Sequence, residues 1–528
     1  MRTFKPFYVS AALALVLASC GGVSQMVSTP AENIDAIQTK TTKLSENDLK
    51  RWSHLDLVRD SVPGMSVDKA YAELLKGKKG TKVIVGIVDS GVDINHEDLK
   101  AVIWTNPKEI AGNGIDDDKN GFIDDIHGWN FLGDAVNEQL EMTRIVKMGP
   151  TAPDYVKAKA ALDAELEGIN SQKNQIDMIL KAEKALEEHL KNPKFTLAEV
   201  KAMTTTDETL LQYKSMFTSI LARQDKAAFD ERLKGGVKQV YDQLNYNYNP
   251  EFNGRKIVGD NPNDITDTKY GNNNVVGPDP EEALHGTHVA GIVAQVRGNG
   301  LGGDGIANLV EIMAVRAVPN GDEYDKDIAL GIRYAVDNGA KVINGSFGKY
   351  FSPHKEWVQD ALKYAAKKDV LVIFAAGNDS KDLDVHNKYP SDSYDGSPEI
   401  SDNVLIIGAL NATYGSNMVA PFSNYGKNNV DVFAPGMQIY ATVPNNKYRY
   451  LQGTSMASPN VAGVAALIRS YYPKLSAAQV KQIIMLSGTP LKNAVLVDED
   501  QRDANFAEIS KSGRIVNAYN ALLMASKM

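Results

Sequence analysis

Three short stretches of this 528-residue chain each contain a residue type that serves acyl-transfer chemistry. The stretch VIVGIVDSGVD carries Asp89, HGTHVAGIVA carries His285, and GTSMASPNVAGVAALI carries Ser455. A serine nucleophile needs a base that takes its proton and a buried carboxylate that holds the base in the right tautomer. Taken singly, Asp89 could simply end a strand, and His285 and Ser455 could cap helices. Taken together, the three residues predict a catalytic triad.

The elements that must position these residues alternate regularly from residue 82 onward. Apolar runs of strand length (KVIVGIVD, VEIMAV, KVING, VLVIFAAG and NVLIIGAL) are separated by helical patterns near 286–296, 325–338 and 355–368. Continuous apolar strands separated by helices predict an α/β fold with a doubly wound parallel sheet and helices on both faces. In such sheets ligands bind beyond the carboxyl ends of the strands, which is where Asp89 is expected.

The motifs DSGVD, HGTHVAG and GTSMASP, in this order, resemble the three active-site signatures of the subtilisin-like serine peptidases, the subtilases of peptidase family S8. Residues 82–128 and 277–486 are similar to that catalytic domain in content and order. The resemblance implies a serine endopeptidase with Asp89, His285 and Ser455 as its triad. It also implies hydrolysis of protein or peptide substrates through an acyl-enzyme, without a cofactor for catalysis.

The resemblance extends to the surroundings of the nucleophile. It implies that Asn378, in FAAGND, and the Ser455 backbone N–H donate hydrogen bonds to the developing oxyanion. The substrate is then an extended strand beside NGSFGK. The resemblance also implies a pocket for the substrate residue before the scissile bond. Its walls would be formed by Ser346, Phe347, Gly348, Ala375, Ala376 and Gly377. We expect this pocket to be open and apolar rather than charged.

Metal-ligating patterns occur at two places. The stretch DDDKNGFIDD places Asp116, Asp118 and Asn120 in the spacing of a calcium loop, with Asp124 following, and predicts a structural calcium site. His127 stands where an EF-hand has its bidentate glutamate, so a solvated acidic turn is the alternative. His288 follows His285 by three residues, but no carboxylate or cysteine completes a zinc set, so we expect no zinc there.

A long helical segment separates the Asp and His motifs. Residues 137–250 are rich in Ala, Leu, Lys and Glu, and apolar residues recur at helical spacing from Leu162 to Leu180. Pro193 is expected to end this helix, and Thr196 with Glu199 fits a capping box for the next one. The segment predicts an inserted α-helical subdomain that could restrict access, inhibit the enzyme or bind a protein partner.

The amino terminus has the pattern of an export signal. Residues 1–19 combine Arg2 and Lys5 with an apolar stretch, and Cys20, the only cysteine of the chain, ends a sequence that resembles the lipobox of bacterial lipoproteins. Lipidation of Cys20 would anchor the protein in the bacterial cell envelope, with the outer membrane as the expected location and a periplasmic or surface-facing orientation. An ordinary cleaved signal is the alternative. Residues 20–50 are polar and are interpreted as a tether.

The remaining residues, 51–136 and 251–528, are assigned to the peptidase domain. The formal net charge of −9, without a basic stripe, argues against nucleic acid as a partner. We expect a monomer. Two other functions stay open at this stage: a catalytically silent scaffold that uses the insertion to bind partners, and esterase or peptide-ligase activity through the same acyl-enzyme.

Overall fold

The computed structural model describes residues 43–528, and its strands and helices alternate as the sequence pattern predicts. The strands in this range are β1 (Val83–Asp89), β2 (Gly128–Asn130), β3 (Val310–Arg316), β4 (Val342–Gly345), β5 (Leu371–Ala375), β6 (Val404–Leu410), β7 (Val432–Pro435), β8 (Ile439–Val443), β9 (Lys447–Leu451), β10 (Thr489–Pro490), β11 (Ala494–Val497), β12 (Arg502–Asn505) and β13 (Arg514–Ile515).

The α-helices differ widely in length. They are α1 (Glu46–Lys50), α2 (Leu57–Asp60), α3 (Val67–Ala70), α4 (Glu141–Met148), α5 (Tyr155–Leu190), α6 (Leu197–Ala202), α7 (Glu208–Leu221), α8 (Lys226–Asp242), α9 (Arg255–Val258), α10 (Leu284–Ala294), α11 (Asp325–Asp337), α12 (Lys355–Lys367), α13 (Thr454–Tyr471), α14 (Ala477–Ser487) and α15 (Ala518–Ala525).

Nine strands form one sheet in the order β10-β13-β7-β6-β5-β4-β1-β3-β2. Every neighbouring pair in it is parallel except β10 with β13. Because β1 lies between β3 and β4, the chain order reverses at β1, and a crevice opens there beyond the strand ends. The predicted doubly wound fold is therefore confirmed, and Asp89 lies at this reversal.

Helices cover both faces of the sheet. A methyl group placed on Gly86 of β1 would lie 3.0 Å from the Ala335 side chain of α11, whereas one placed on Gly286 of α10 would lie 3.1 Å from the Cβ of Asp89. Since successive residues of a strand face opposite sides, α10 and α11 cover opposite faces of β1. Helix α13, which is buried along most of its length, packs beside α10.

Residues 137–250 fold as the helices α4 to α8, with apolar clusters separate from the main core. One cluster centres on Phe195, Phe217 and Phe229. The predicted capping box is present, since the Glu199 N–H donates to Thr196 Oγ1 (3.3 Å) and the Thr196 N–H to Glu199 Oε2 (2.7 Å). Leu180, at the end of the predicted apolar pattern, is exposed. The bounds we assigned to the domains stay predictions.

The last residues assigned to the tether, 46–50, form helix α1. Leu44 and Leu49 pack against the main core, because burying their apolar surface favours docking. Trp52 is buried, and its Nε1 donates to the Met437 carbonyl at 2.9 Å. The signal at 1–19 and Cys20 lie outside the described residues. No helix within residues 43–528 is long and apolar enough to cross a bilayer.

Candidate active site

The predicted base and carboxylate form a hydrogen-bonded pair. His285 is the second residue of α10, and its Nδ1 lies 2.7 Å from Oδ1 of Asp89, the last residue of β1. Asp89 is 1% exposed, and its Oδ1 also accepts the Ser90 backbone N–H at 2.7 Å. With Nδ1 donating to the carboxylate, Nε2 of the neutral ring is left as a proton acceptor.

The environment of His285 changes its pKa. Burial alone would lower this pKa, but the negative charge of Asp89 and the hydrogen bond to it raise the pKa above the ordinary value of 6.5. The side chain keeps 37% of its surface exposed, so the ring is both charge-paired and open to the crevice. Such a group accepts a proton more readily than a free imidazole does.

The predicted nucleophile lies at the start of α13. The N-cap position is Gly453, and Ser455 is the second helical residue, so the interpretation of Ser455 as a cap is wrong. Its Oγ donates to the Ser346 carbonyl at 3.1 Å, and Ser346 Oγ donates to the Ser455 carbonyl at 2.9 Å. Transfer of the hydroxyl proton to His285 therefore requires the Ser455 Oγ to leave this acceptor.

Asn378 follows β5 and is held by Thr454. Its Oδ1 accepts hydrogen bonds from the Thr454 backbone N–H (2.8 Å) and hydroxyl (2.9 Å). With the oxygen so engaged, the hydrogen-bond network assigns Nδ2 as the donor, and this donor has no partner within residues 43–528. A cleft of about 620 Å³ is lined by Asn378, Ser455 and His285 together. The spacing in sequence gave no sign of the anchoring role of Thr454, although it lies beside Ser455 in the same motif.

The predicted pocket residues follow β4 and β5, on either side of the start of α13. Ser346 bonds to Ser455, and the Gly377 N–H donates to Thr454 Oγ1 at 3.0 Å. Lys388, a charged residue that the expected apolar pocket did not include, lies against both segments. Its Nζ donates to the Phe347 carbonyl at 3.0 Å.

A second cavity, of about 330 Å³, extends from Asp89 and His285 along residues 318–323 and 346–348. Arg316, which the sequence reasoning missed, forms part of its lining and is buried. Its guanidinium donates to neutral oxygens, including the Ser90 and Ala135 carbonyls at 3.1 and 2.7 Å. Burial lowers the pKa of Arg316 to about 10, a value at which it stays charged at neutral pH.

His288 faces away from this chemistry. It is fully buried, and its Nε2 lies 3.1 Å from the Arg449 carbonyl. Burial lowers the pKa of His288 to about 4. This histidine is a neutral packing residue of α10.

The acidic loop brings together a different set from the predicted one. Carboxylate oxygens of Asp116 and Asp118 lie within 4.8 Å of one another and of Glu109, which the spacing pattern did not include. Asp124 lies outside this cluster, and its carboxylate accepts the backbone N–H groups of residues 112–114, as the Asp116 carboxylate accepts those of Asn120 and Gly121. The Asn120 Oδ1 likewise accepts the Phe122 N–H.

The cluster has the chemistry of a site for a hard cation. Oε2 of Glu109 is buried and has no hydrogen-bond partner within the described part of the chain, whereas its Oε1 accepts the Asp118 N–H at 3.1 Å. Calcium prefers carboxylate oxygens as ligands. Glu109 therefore joins Asp116 and Asp118 as a candidate calcium ligand, and the roles of Asn120 and Asp124 stay predictions.

Comparison with known proteins agrees with this geometry. Residues 80–502 match the model of the Subtilase family, Peptidase_S8, and the chain belongs to this family. It is 40% identical over 223 residues to the thermophilic serine proteinase of Bacillus sp. (strain AK1), covering 42% of this chain and 49% of the relative. Subtilisin DY of Bacillus licheniformis is 38% identical over 208 residues, which are 39% of this chain and 71% of that protein.

The coverage of these matches is partial. The chain spans about half the length of the first curated relatives it matches. Among solved structures, a protease from Pseudoalteromonas arctica PAMC 21717 is 30% identical in sequence. The match covers 46% of this chain and 70% of the protease chain, with a TM-score of 0.36. The family membership therefore rests on the sequence match.

Proposed function

We propose that this protein is a serine endopeptidase that cleaves protein or peptide substrates through an acyl-enzyme. The observation that carries the proposal is the 2.7 Å pair of Asp89 and His285 in one crevice with Ser455 and Asn378. Each of these groups has a defined task in acyl transfer, and their common location at the strand ends favours a shared reaction.

The proposed reaction begins with proton transfer from Ser455 Oγ to His285 Nε2 as Oγ attacks the substrate carbonyl carbon. Asp89 keeps the ring oriented and stabilises the imidazolium. The oxyanion accepts hydrogen bonds from Asn378 Nδ2 and the Ser455 N–H, and the positive end of the α13 dipole favours its charge. His285 then protonates the leaving amine, and water, activated in the same way, hydrolyses the acyl-enzyme.

The substrate backbone is proposed to lie as an extended strand in the cavity beside residues 346–348. Segments 346–348 and 375–377 then form the walls of the pocket for the residue before the scissile bond. Because both segments bond to the start of α13, a substrate residue placed between them has its carbonyl carbon next to the nucleophile.

Active-site labelling tests the proposal. The full chain is treated with a fluorophosphonate probe, beside Ser455→Ala and, as a control, Ser171→Ala on the exposed face of α5. We expect labelling of the native protein and of the control only, together with cleavage of denatured casein that Ser455→Ala lacks. Absence of labelling in the native protein, or its persistence in Ser455→Ala, contradicts the assignment and favours a catalytically silent scaffold.

We also propose two features outside the reaction. Glu109, Asp116 and Asp118 hold a structural calcium ion, supported by their common location and the unpartnered Glu109 oxygen. Lipid on Cys20 anchors the protein in the cell envelope, supported by the lipobox-like sequence before it. Labelling of cells with a fatty-acid probe tests the anchor: Cys20→Ser should lose the label, and equal labelling of both proteins contradicts it.

A further inference from the structure

A lysine lies between the two segments that we propose as the walls of the substrate pocket. A methyl group placed on Gly348 would lie 2.1 Å from Lys388 Nζ, and one placed on Gly377 would lie 3.2 Å from Lys388 Cδ. The chain around Lys388 is held there by pairing of Lys349 with Tyr389, whose backbone N–H groups donate to each other's carbonyls at 2.9 and 2.8 Å. Lys388 therefore lies between the two segments, next to a backbone pairing that holds this part of the chain.

The ammonium group of Lys388 has few partners. It is buried, and among residues 43–528 its single hydrogen-bond acceptor is the Phe347 carbonyl at 3.0 Å, with no carboxylate oxygen within 4.0 Å. The adjacent buried lysine, Lys349, shows the usual arrangement: its Nζ lies 2.7 Å from Glu141 Oε2 and 3.0 Å from Asp325 Oδ1. A buried ammonium group with three donors and one neutral acceptor favours binding of an anion.

The charge of Lys388 persists at neutral pH. Burial lowers its pKa to about 8, while the negative charges of Glu323 and Asp379 act in the opposite direction. Neither carboxylate forms an ion pair with it: burial raises the pKa of Glu323 to about 7, its Oε1 has no hydrogen-bond partner among residues 43–528, and Asp379 accepts a hydrogen bond from the Tyr350 hydroxyl. At pH 7 the ammonium form of Lys388 thus predominates.

The lysine is also close to the nucleophile along the backbone. Phe347, whose carbonyl holds the ammonium, follows Ser346, whose carbonyl accepts the Ser455 hydroxyl. We propose that Lys388 binds the side-chain carboxylate of a glutamate or aspartate immediately before the scissile bond, so that the enzyme cleaves after acidic residues. The inference deepens the proposed function and rests on it.

A set of internally quenched peptides that differ only at this position tests the inference. The residue before the scissile bond is Glu, its uncharged isostere Gln, Leu, Phe or Lys. For the native enzyme at pH 7 and moderate salt we expect kcat/KM for Glu to exceed that for Gln about 10- to 100-fold, the range for a desolvated, charge-assisted hydrogen bond. This comparison needs no variant and is independent of how any variant folds.

Variants of the same position sharpen the test. Lys388→Met keeps the apolar stem and should bring the Glu/Gln ratio close to one while Leu and Phe peptides are still cleaved. Lys388→Glu should shift the preference toward Lys. Lys381→Met is the matched control, because Lys381 Nζ lies over the Tyr350 ring, 3.8 Å from its centre, and Lys381 belongs to neither wall segment; this variant should keep the native ratio.

Two outcomes overturn the inference while leaving the proposed function intact. One is fluorophosphonate labelling of Ser455 with a native Glu/Gln ratio of one or less. The other is a high ratio that survives in Lys388→Met. Failure of both labelling and cleavage of every peptide refutes the proposed function, and the inference with it.

Discussion

The contact between α10 and the end of β1 predicts a strong effect of the substitution Gly286→Ala. The added Cβ would lie 2.1 Å from the Gly91 carbonyl oxygen and 3.1 Å from Asp89 Cβ, whereas ordinary contact begins near 3.4 Å. The helix must therefore move by about 1 Å away from β1, and overpacking of this kind costs about 1–3 kcal/mol of folding free energy. The same movement separates His285 from Asp89, and a misplacement of about 1 Å lowers turnover roughly 100-fold.

The assay combines kcat on a peptide substrate with thermal unfolding followed by circular dichroism. The control is Gly168→Ala in the exposed part of α5, where an added methyl group meets nothing within 4 Å. This change should leave kcat unaltered and stabilise the protein by about 0.5–1 kcal/mol, since alanine favours the helix. A Gly286→Ala variant with native kcat and an unchanged unfolding midpoint would refute the reasoning.

Three further predictions follow from individual contacts. Thr454→Val removes one of the two donors that hold Asn378 and also the acceptor of the Gly377 N–H in the proposed pocket wall, so it should lower kcat/KM roughly 10- to 100-fold, the effect of about two hydrogen bonds. Thr454→Ser should restore kcat/KM, and an unchanged kcat in Thr454→Val contradicts the role in holding Asn378. Because Asp89 raises the pKa of His285 and only the neutral ring is a base, kcat/KM should fall as the pH drops through a value above 6.5. Asp89→Asn should move this fall to lower pH, in addition to a large loss of rate, and an unmoved profile contradicts the electrostatic account. Finally, calcium should raise the unfolding midpoint of the native protein but not that of Glu109→Gln, and equal shifts would exclude Glu109 as a ligand.

The sequence predicted the parts of the site whose chemistry lies within a continuous motif. The apolar pattern locates the strand end at Asp89 and the helix starts at His285 and Ser455. Because the sheet is parallel, the carboxyl ends of its strands lie at one edge, and the three residues are brought to that edge. Asn378 follows the apolar strand β5, but its role was implied only by the resemblance to the subtilisin-like peptidases.

What the sequence did not predict depends on pairing between distant segments. Lys388 is forty positions from Gly348 along the chain. The backbone pairing of Lys349 with Tyr389 brings the Lys388 side chain next to that glycine. Glu109 reaches Asp116 because the loop closes on itself, and Asp124 is occupied by amides of residues 112–114. Side-chain spacing identifies candidate ligands, but the backbone donors that compete for them appear only in three dimensions.

The first helix of the insertion is joined to the wall of the crevice. The Glu138 N–H donates to the Asn320 carbonyl at 3.0 Å, and the Glu141 N–H donates to Asp322 Oδ2 at 2.7 Å. The Arg144 guanidinium donates to the Asp322 carbonyl at 3.1 Å. Residues 320–323 line the cavity in which we place the substrate backbone, so α4 supports one of its sides.

This arrangement divides the insertion into two parts with different physical roles. At its base, Lys349 bridges Glu141 and the Glu323 carbonyl, both at 2.7 Å, and removing one member of such a buried network leaves an uncompensated charge that costs about 3–5 kcal/mol. Helices α6 and α7 instead bury their apolar residues in a cluster of the insertion itself, whereas α8 shares a cluster with α4 and its Lys238 pairs with Glu282 of the cavity lining at 3.1 Å. Changes in α6 and α7 are therefore expected to leave the crevice in place, whereas changes in α4 act directly on the wall beside the proposed substrate.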